Sequence, residues 1–204
     1  MRIYIDMVSS EPPQHRGKDR TAPPWRPHAV RIAAAVEEES GNAIGGVLIA
    51  TLTPAGSWRC DLEWIGRYMG NSDGLVGTTP ASIVAASPWL FDPDAIFVGH
   101  NAPFHRMVLD GLIQDAGGPP GERDWFDTMR EAEPVCCLPA RGRSGTKAPS
   151  LAEAYGFFTG SGMAPAASLP AREAALGQLN AVRAVYWGIR RWGMPEPIPM
   201  PGAP

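Results

Sequence analysis

The sequence predicts an α/β domain whose sheet begins antiparallel, continues parallel and is flanked by helices. Three observations carry this expectation. Two apolar runs, 29–39 and 44–52, flank a Gly/Asn-containing turn, as the strands of a hairpin do. The run "AIFVG" (95–99) is apolar throughout, as a central strand covered on both faces must be. From there on, short β-rich stretches alternate with segments of helical period, the pattern of a sheet with helices packed on it. A chain of 204 residues, 44% of them hydrophobic, can bury the core of one such domain.

The elements follow in order. "RIYID" (Arg2 to Asp6) is a β-rich run. Residues 9–28 form a Pro-rich loop, and between Glu11 and Arg31 five Lys/Arg stand against two acids, so this stretch is locally basic. "AVRIAAAVEEE" (29–39) and "IGGVLIATL" (44–52) are the hairpin strands. Thr79 caps and Pro80 opens a short helix, "TPASIVAAS". After the fourth strand, Asn101 is expected to cap a helix whose inner face is Phe104, Met107, Val108, Leu112 and Ile113, ended by Gly117-Gly118-Pro119-Pro120. "DWFDTM" (124–129) is a fifth short strand leading into a helix. Ser150 with Glu153 makes a capping box before "LAEAYGFF". A last helix spans about 169–192, with Leu176, Leu179, Val182, Tyr186 and Ile189 as its stripe. One domain is therefore expected over 1–192, with 193–204 as an extended Pro-rich tail.

Composition narrows the function. A net charge of −3 supplies no global field for nucleic acid, so such binding must come from local patches. Cys60, Cys136 and Cys137 make neither a disulfide framework nor a zinc spacing, and a reducing cytoplasm is the expected compartment. No segment reads as a signal peptide or a membrane span.

The order of elements, with the stretches "IDMVSS", "GHNAPFHR", "DWFDTM", "KAPSLAEAYGFF" and "EAALGQLNAVRAVYW", resembles the DnaQ-like 3′–5′ exonucleases of the ribonuclease-H-like fold. The resemblance runs from Ile3 to about Trp192, and implies a five-stranded ribonuclease-H-like mixed sheet. It also implies a bacterial or phage source, as does the Ala/Gly/Pro/Arg-rich composition. That family's chemistry needs clustered carboxylates, which hold two divalent cations roughly 4 Å apart. Asp6 matches the first of them. Val8, His105 and Gln178 stand where the others belong, and Glu173 replaces the general-base histidine. Valine coordinates nothing, an amide offers one neutral oxygen, and imidazole suits zinc or manganese better than magnesium. The catalytic set is therefore read as degenerate, with Asp6 the one remnant metal ligand if any.

The same residues have plainer readings. Asp6 is a turn residue or helix-dipole partner as readily as a remnant ligand. His100 and Asn101 are structural, or face nucleic acid. His105 is a solvent-exposed polar residue, a phosphate contact when protonated, or a replacement ligand. Glu173 is a first-turn acid or a base, and Asp127 and Thr128 orient a turn. Arg16, Lys18, Arg20 and Arg26, then Arg141, Arg143 and Lys147, are solvated loop charges or a salt-sensitive grip on phosphates, and Trp25 can stack on a base.

Three functions follow. The first is a non-catalytic exonuclease-fold protein that binds nucleic acid (a single strand or 3′ end) or scaffolds a protein complex, with no cofactor. The second is an exonuclease with an atypical site of Asp6, His105, Glu173 and perhaps Asp127, using magnesium or manganese. The third is a protein-binding module whose tail "PEPIPMPGAP" docks in an aromatic groove.

Overall fold

In the computed structural model the first three apolar runs pair side by side in one sheet. The structure describes residues 1–10, 28–38, 44–52, 61–69, 77–140, 142 and 144–192. Strands β1 (Arg2–Ser9), β2 (Ala29–Glu37) and β3 (Ile44–Leu52) pair antiparallel in sequence. Helix α1 (Leu62–Met69) and the short strand β4 (Gly77–Thr78) follow, and β4 adds parallel to β3. Helix α2 (Pro80–Ala86) starts at Thr79, whose side chain accepts the Ser82 N–H, the cap the sequence predicts. Strand β5 (Ile96–Gly99) lies parallel to β1, followed by helix α3 (Ala102–Asp115). Strand β6 (Asp124–Asp127) lies parallel to β5, and helices α4 (Thr128–Cys136), α5 (Leu151–Thr159) and α6 (Ala171–Arg191) complete the order. The sheet order is β4-β3-β2-β1-β5-β6. This is the mixed ribonuclease-H-like layout the sequence predicts, with a sixth, two-residue strand at the β3 edge instead of five in all.

Alternation along β1 divides the core. Ile3, Ile5 and Met7 face the side covered by α3, packing with Val108, Leu109, Leu112 and Ile113. Tyr4 faces the other side with Ala33, Ala35 and Val98, under Ala175, Leu179, Val182 and Tyr186 of α6. Asp6 and Val8 share Tyr4's parity, so they emerge on the α6 side.

Two expectations about α3 fail. Met107 is exposed, whereas His105 is buried, at 4% exposure. The inner face is carried by Ala102, His105, Val108, Leu109, Leu112 and Ile113. Gly99 makes room for the imidazole: a Cβ there would lie 3.1 Å from His105 Cδ2. The Ser150–Glu153 capping box forms as predicted. Residues 193–204, the Pro-rich tail, lie outside the described residues.

Candidate functional site

Three parallel strands end close together, and a cleft opens beyond their carboxyl ends, where open α/β sheets hold ligands. The β1–β5 register pairs Tyr4 with Val98, so continuing it places Asp6 level with His100. The cleft encloses about 260 Å³ and is lined by Asp6, Met7, Val8, Tyr68, His100, Asn101, Phe104, His105, Met129, Ser150, Leu151 and Gln178. Three of the sequence stretches singled out above, at 100–105, 127–129 and 149–153, meet around it.

The turn between β5 and α3 is fixed by hydrogen bonds. Asn101 sits in the left-handed region, φ 69°, which asparagine tolerates better than most residues. It stands at the N-cap position of α3 but makes no side-chain cap, contrary to expectation. Its backbone N–H instead donates to Asp127 Oδ1 at 3.0 Å, and the same oxygen accepts the Met129 N–H at 3.1 Å, starting α4. His100 Nε2 donates to Pro149 O at 2.9 Å, and its Nδ1 lies 3.1 Å from the Thr128 hydroxyl. The Pro149 contact ties the "GHN" turn to the start of α5, and the Thr128 contact ties it to the start of α4. Asp127, Thr128 and His100 thus hold the rim in shape.

Asp6 is not a turn residue. It lies within β1, at 7% exposure, and its carboxylate is taken by a partner the sequence reading did not assign. Arg31 pairs with Val8 across the β1–β2 ladder and is diagonal to Asp6, so all three share one face. Its Nη2 donates to Asp6 Oδ2 at 2.6 Å. Its Nη1 donates to the carbonyls of Tyr68 and Met69, both at 3.1 Å, satisfying the last turn of α1 with a cation where the helix end favours one. The Arg31 side chain is wholly buried. Gln178, on α6, meets the same carboxylate: with its amide nitrogen toward Asp6 it donates to both oxygens at 3.2 Å.

His105 is the buried group nearest in kind to a ligand. Its Nε2 lies 3.0 Å from His100 O, and a carbonyl only accepts, so Nε2 carries the proton. Burial lowers its pKa, as it does that of His100, even though Asp6 pulls upward. Both rings are therefore neutral near pH 7, which removes the charge a phosphate contact would use. His105 Nδ1 is buried without a hydrogen-bond partner. The solvent-exposed reading of His105 is overturned: Gly99 leaves a slot and the His100 carbonyl fixes the ring in it.

The remaining expected residues do not converge here. Glu173 is exposed in the first turn of α6 and does not line the cleft. Lys147 is joined to Glu153, whose carboxyl Lys147 and the Ser150 N–H hold down to about 2. Arg16, Lys18, Trp25, Arg20, Arg26, Arg141 and Arg143 lie outside the described residues. Among the described residues no three His, Cys, Asp or Glu side chains come together to hold a metal ion. A pair of hard dications does not fit this donor set: the carboxylate already carries a guanidinium and an amide, and its neighbours are Val8 and a hydrogen-bonded imidazole.

The signal for Arg31 is present in the sequence. A lone arginine interrupts the apolar run "AVRIAAAV", and a charge in a central strand requires a buried partner. It is easily counted with the basic loop before it, as it is in the five-to-two tally above. Among the described residues no helix is long and apolar enough to cross a membrane.

No protein-family model and no curated protein sequence matches the chain. Solved structures do. The chain is similar to E. coli exonuclease I in complex with a dT13 oligonucleotide, at 14% identity and a TM-score of 0.65, over 94% of this chain and 41% of that one. It is similar to the zinc-bound form of the E. coli exonuclease I–single-stranded DNA complex, at 12% identity and a TM-score of 0.60, over 95% and 41%. It is also similar to the E. coli exonuclease I/SSB-Ct complex, at 14% identity and a TM-score of 0.63, over 95% and 41%. The chain thus spans about two fifths of the length of these structures, and at such identities the shared property is the fold.

Proposed function

We propose that this chain is a catalytically degenerate exonuclease-fold protein that binds nucleic acid, as a single strand or 3′ end, or scaffolds a complex that handles it, without cutting it. The observation that carries the reading is the Arg31–Asp6 pair. Among the described residues Asp6 is the one carboxylate lining the cleft, and a guanidinium fixed on it supplies one positive charge permanently, where a two-metal nuclease needs anionic oxygens free to gather two dications. The arrangement has lost the means to generate a metal-bound nucleophile and kept a shaped, mostly apolar cleft with a rigid polar rim. Support for nucleic acid as the partner comes from the similar structures, which are of E. coli exonuclease I in complex with a dT13 oligonucleotide and with SSB-Ct.

Two assays on the same preparation test the proposal. A 3′-labelled single strand is incubated with the protein and magnesium or manganese, and its length is followed. In parallel, its binding is measured by fluorescence anisotropy in EDTA. The reading expects an intact strand and salt-dependent binding. Shortening of the strand by the wild-type protein, abolished by Asp6→Ala, would establish the atypical exonuclease instead. Neither cutting nor binding would leave the protein-interaction module.

A further inference from the structure

A second depression lies on the far side of the His100–Asn101 turn. It encloses about 270 Å³ between the first turns of α3 and α4. Its lining is Ala102, Pro103, Arg106, Trp125, Asp127 and Arg130. The chain passes directly from cleft to recess at two places: Asn101 lines the former and Ala102 the latter, and likewise Met129 and Arg130. The two depressions therefore share one rim.

The recess has an unspent positive charge. Arg130 is exposed, and makes no hydrogen bond or ion pair with any described residue. Arg106 reaches Asp110 only at 3.9 Å, because Asp110 is held by Arg123 at 2.9 Å. Among the described lining residues the one acid is Asp127, whose Oδ1 accepts the N–H groups of Asn101 and Met129, so the two arginines outnumber it. Trp125, which forms part of the wall, keeps its indole N–H buried without an acceptor. Two planar guanidinium forks on opposite helices suit a group with several oxygens in one plane or tetrahedron, a phosphodiester above all. In a chain of net charge −3, attraction to a polyanion must come from local charges, and this pair supplies two of them.

We infer that this recess is a phosphate subsite, in which Arg106 and Arg130 grip the backbone of a single strand whose end occupies the neighbouring cleft. The inference rests on the proposed nucleic-acid-binding function and assigns part of the contact to residues outside the cleft. It makes the contact sequence-blind, since it touches the backbone and no base edge.

The test is the salt dependence of binding. A short 3′-labelled oligothymidylate is titrated in EDTA with the wild-type protein, with Arg106→Gln/Arg130→Gln, and with Arg172→Gln, an exposed arginine of α6, as control. Both arginines of the recess are exposed, and circular dichroism checks that the double variant is folded. Two phosphate contacts contribute a slope in log Kobs against log salt of about 0.7 each for a single strand, so the double variant should lose about 1.4 of the wild-type slope and the control none. Wild-type binding with an unchanged slope in the double variant would overturn the subsite and leave the binding function standing. No binding by the wild-type protein at low salt would overturn both. Restoration of the slope by Arg106→Lys/Arg130→Lys, with weaker affinity, is expected if charge carries the contact and the planar fork adds to it.

Discussion

Arg31 Nη2 donates to Asp6 Oδ2 over 2.6 Å, from a side chain with no exposed surface. Two further elements meet at that pair: α1 ends on the same guanidinium, and Gln178 donates to the same carboxylate. Arg31→Met should therefore leave Asp6 buried without its counter-ion and cost about 3–5 kcal/mol of stability, measured by urea denaturation. Adding Asp6→Asn should recover a large part of that loss. A single variant with an unchanged midpoint would show that the pair does not hold the fold.

A second buried carboxylate lies on the same face. Glu37 is wholly buried and accepts from Tyr4 Oη at 2.5 Å, Arg183 Nε at 2.6 Å and Arg2 Nε at 3.1 Å. Burial alone would raise its pKa, but the donors from Tyr4, Arg183 and Arg2 outweigh burial and lower it. Glu37→Leu removes the acceptor shared by Tyr4, Arg2 and Arg183 and the charge that balances the two guanidinium groups, so a loss of about 3–5 kcal/mol in urea is expected. Its isosteric amide, Glu37→Gln, should lose less, because the hydrogen-bonding shape survives.

The two histidines set a pH dependence. His105 and His100 both titrate below their ordinary value of 6.5 in the folded chain, chiefly through burial. In the unfolded chain they take up protons at about 6.5. The unfolded state therefore binds more protons as the pH falls below that point, and stability declines with it. The urea midpoint should drop between pH 7.5 and 5.5, where carboxylates of ordinary pKa remain largely ionised. His105→Gln should be less stable at pH 7.5 and show a shallower decline. An equal midpoint at the two pH values for the wild-type protein would contradict the neutral, buried rings.

Gly188 lies within α6, where alanine would ordinarily be favoured by about 1 kcal/mol. Here a Cβ would meet Phe158 Cγ at 2.5 Å and its Cβ at 2.8 Å. Gly188→Ala should lower the melting temperature, by an overpacking penalty of about 1–3 kcal/mol that exceeds the propensity gain. A raised melting temperature would mean that α5 and α6 do not pack as closely as the ring contact implies.

Much of the fold was legible because it rests on local signals. The unbroken run at 95–99, the hairpin runs and the Ser150–Glu153 box each specify their element without reference to the rest of the chain. Helix α1 and strand β4 were missed: α1 is short, β4 is a two-residue edge strand, and neither has a long periodic pattern. At the site, the sequence located the turn at His100 but mistook which α3 residues face inward. Helical period alone cannot choose between His105 and Met107 as core positions. The choice is made by Gly99, whose missing Cβ opens the slot. Arg31 stands out locally as a charge in an apolar run, but its partner does not: the pairing with Asp6 depends on a cross-strand register joining residues 25 apart, which no local pattern encodes.

The central claim is that the guanidinium of Arg31 holds the place on Asp6 that a divalent cation would need. Manganese titrated into the wild-type protein, with binding followed by calorimetry and by the electron paramagnetic resonance signal of free Mn²⁺, tests it most directly. The account predicts no manganese retained at millimolar concentration, and the same result for Asp6→Asn. Two manganese ions taken up per wild-type chain, and lost in Asp6→Asn, would contradict it.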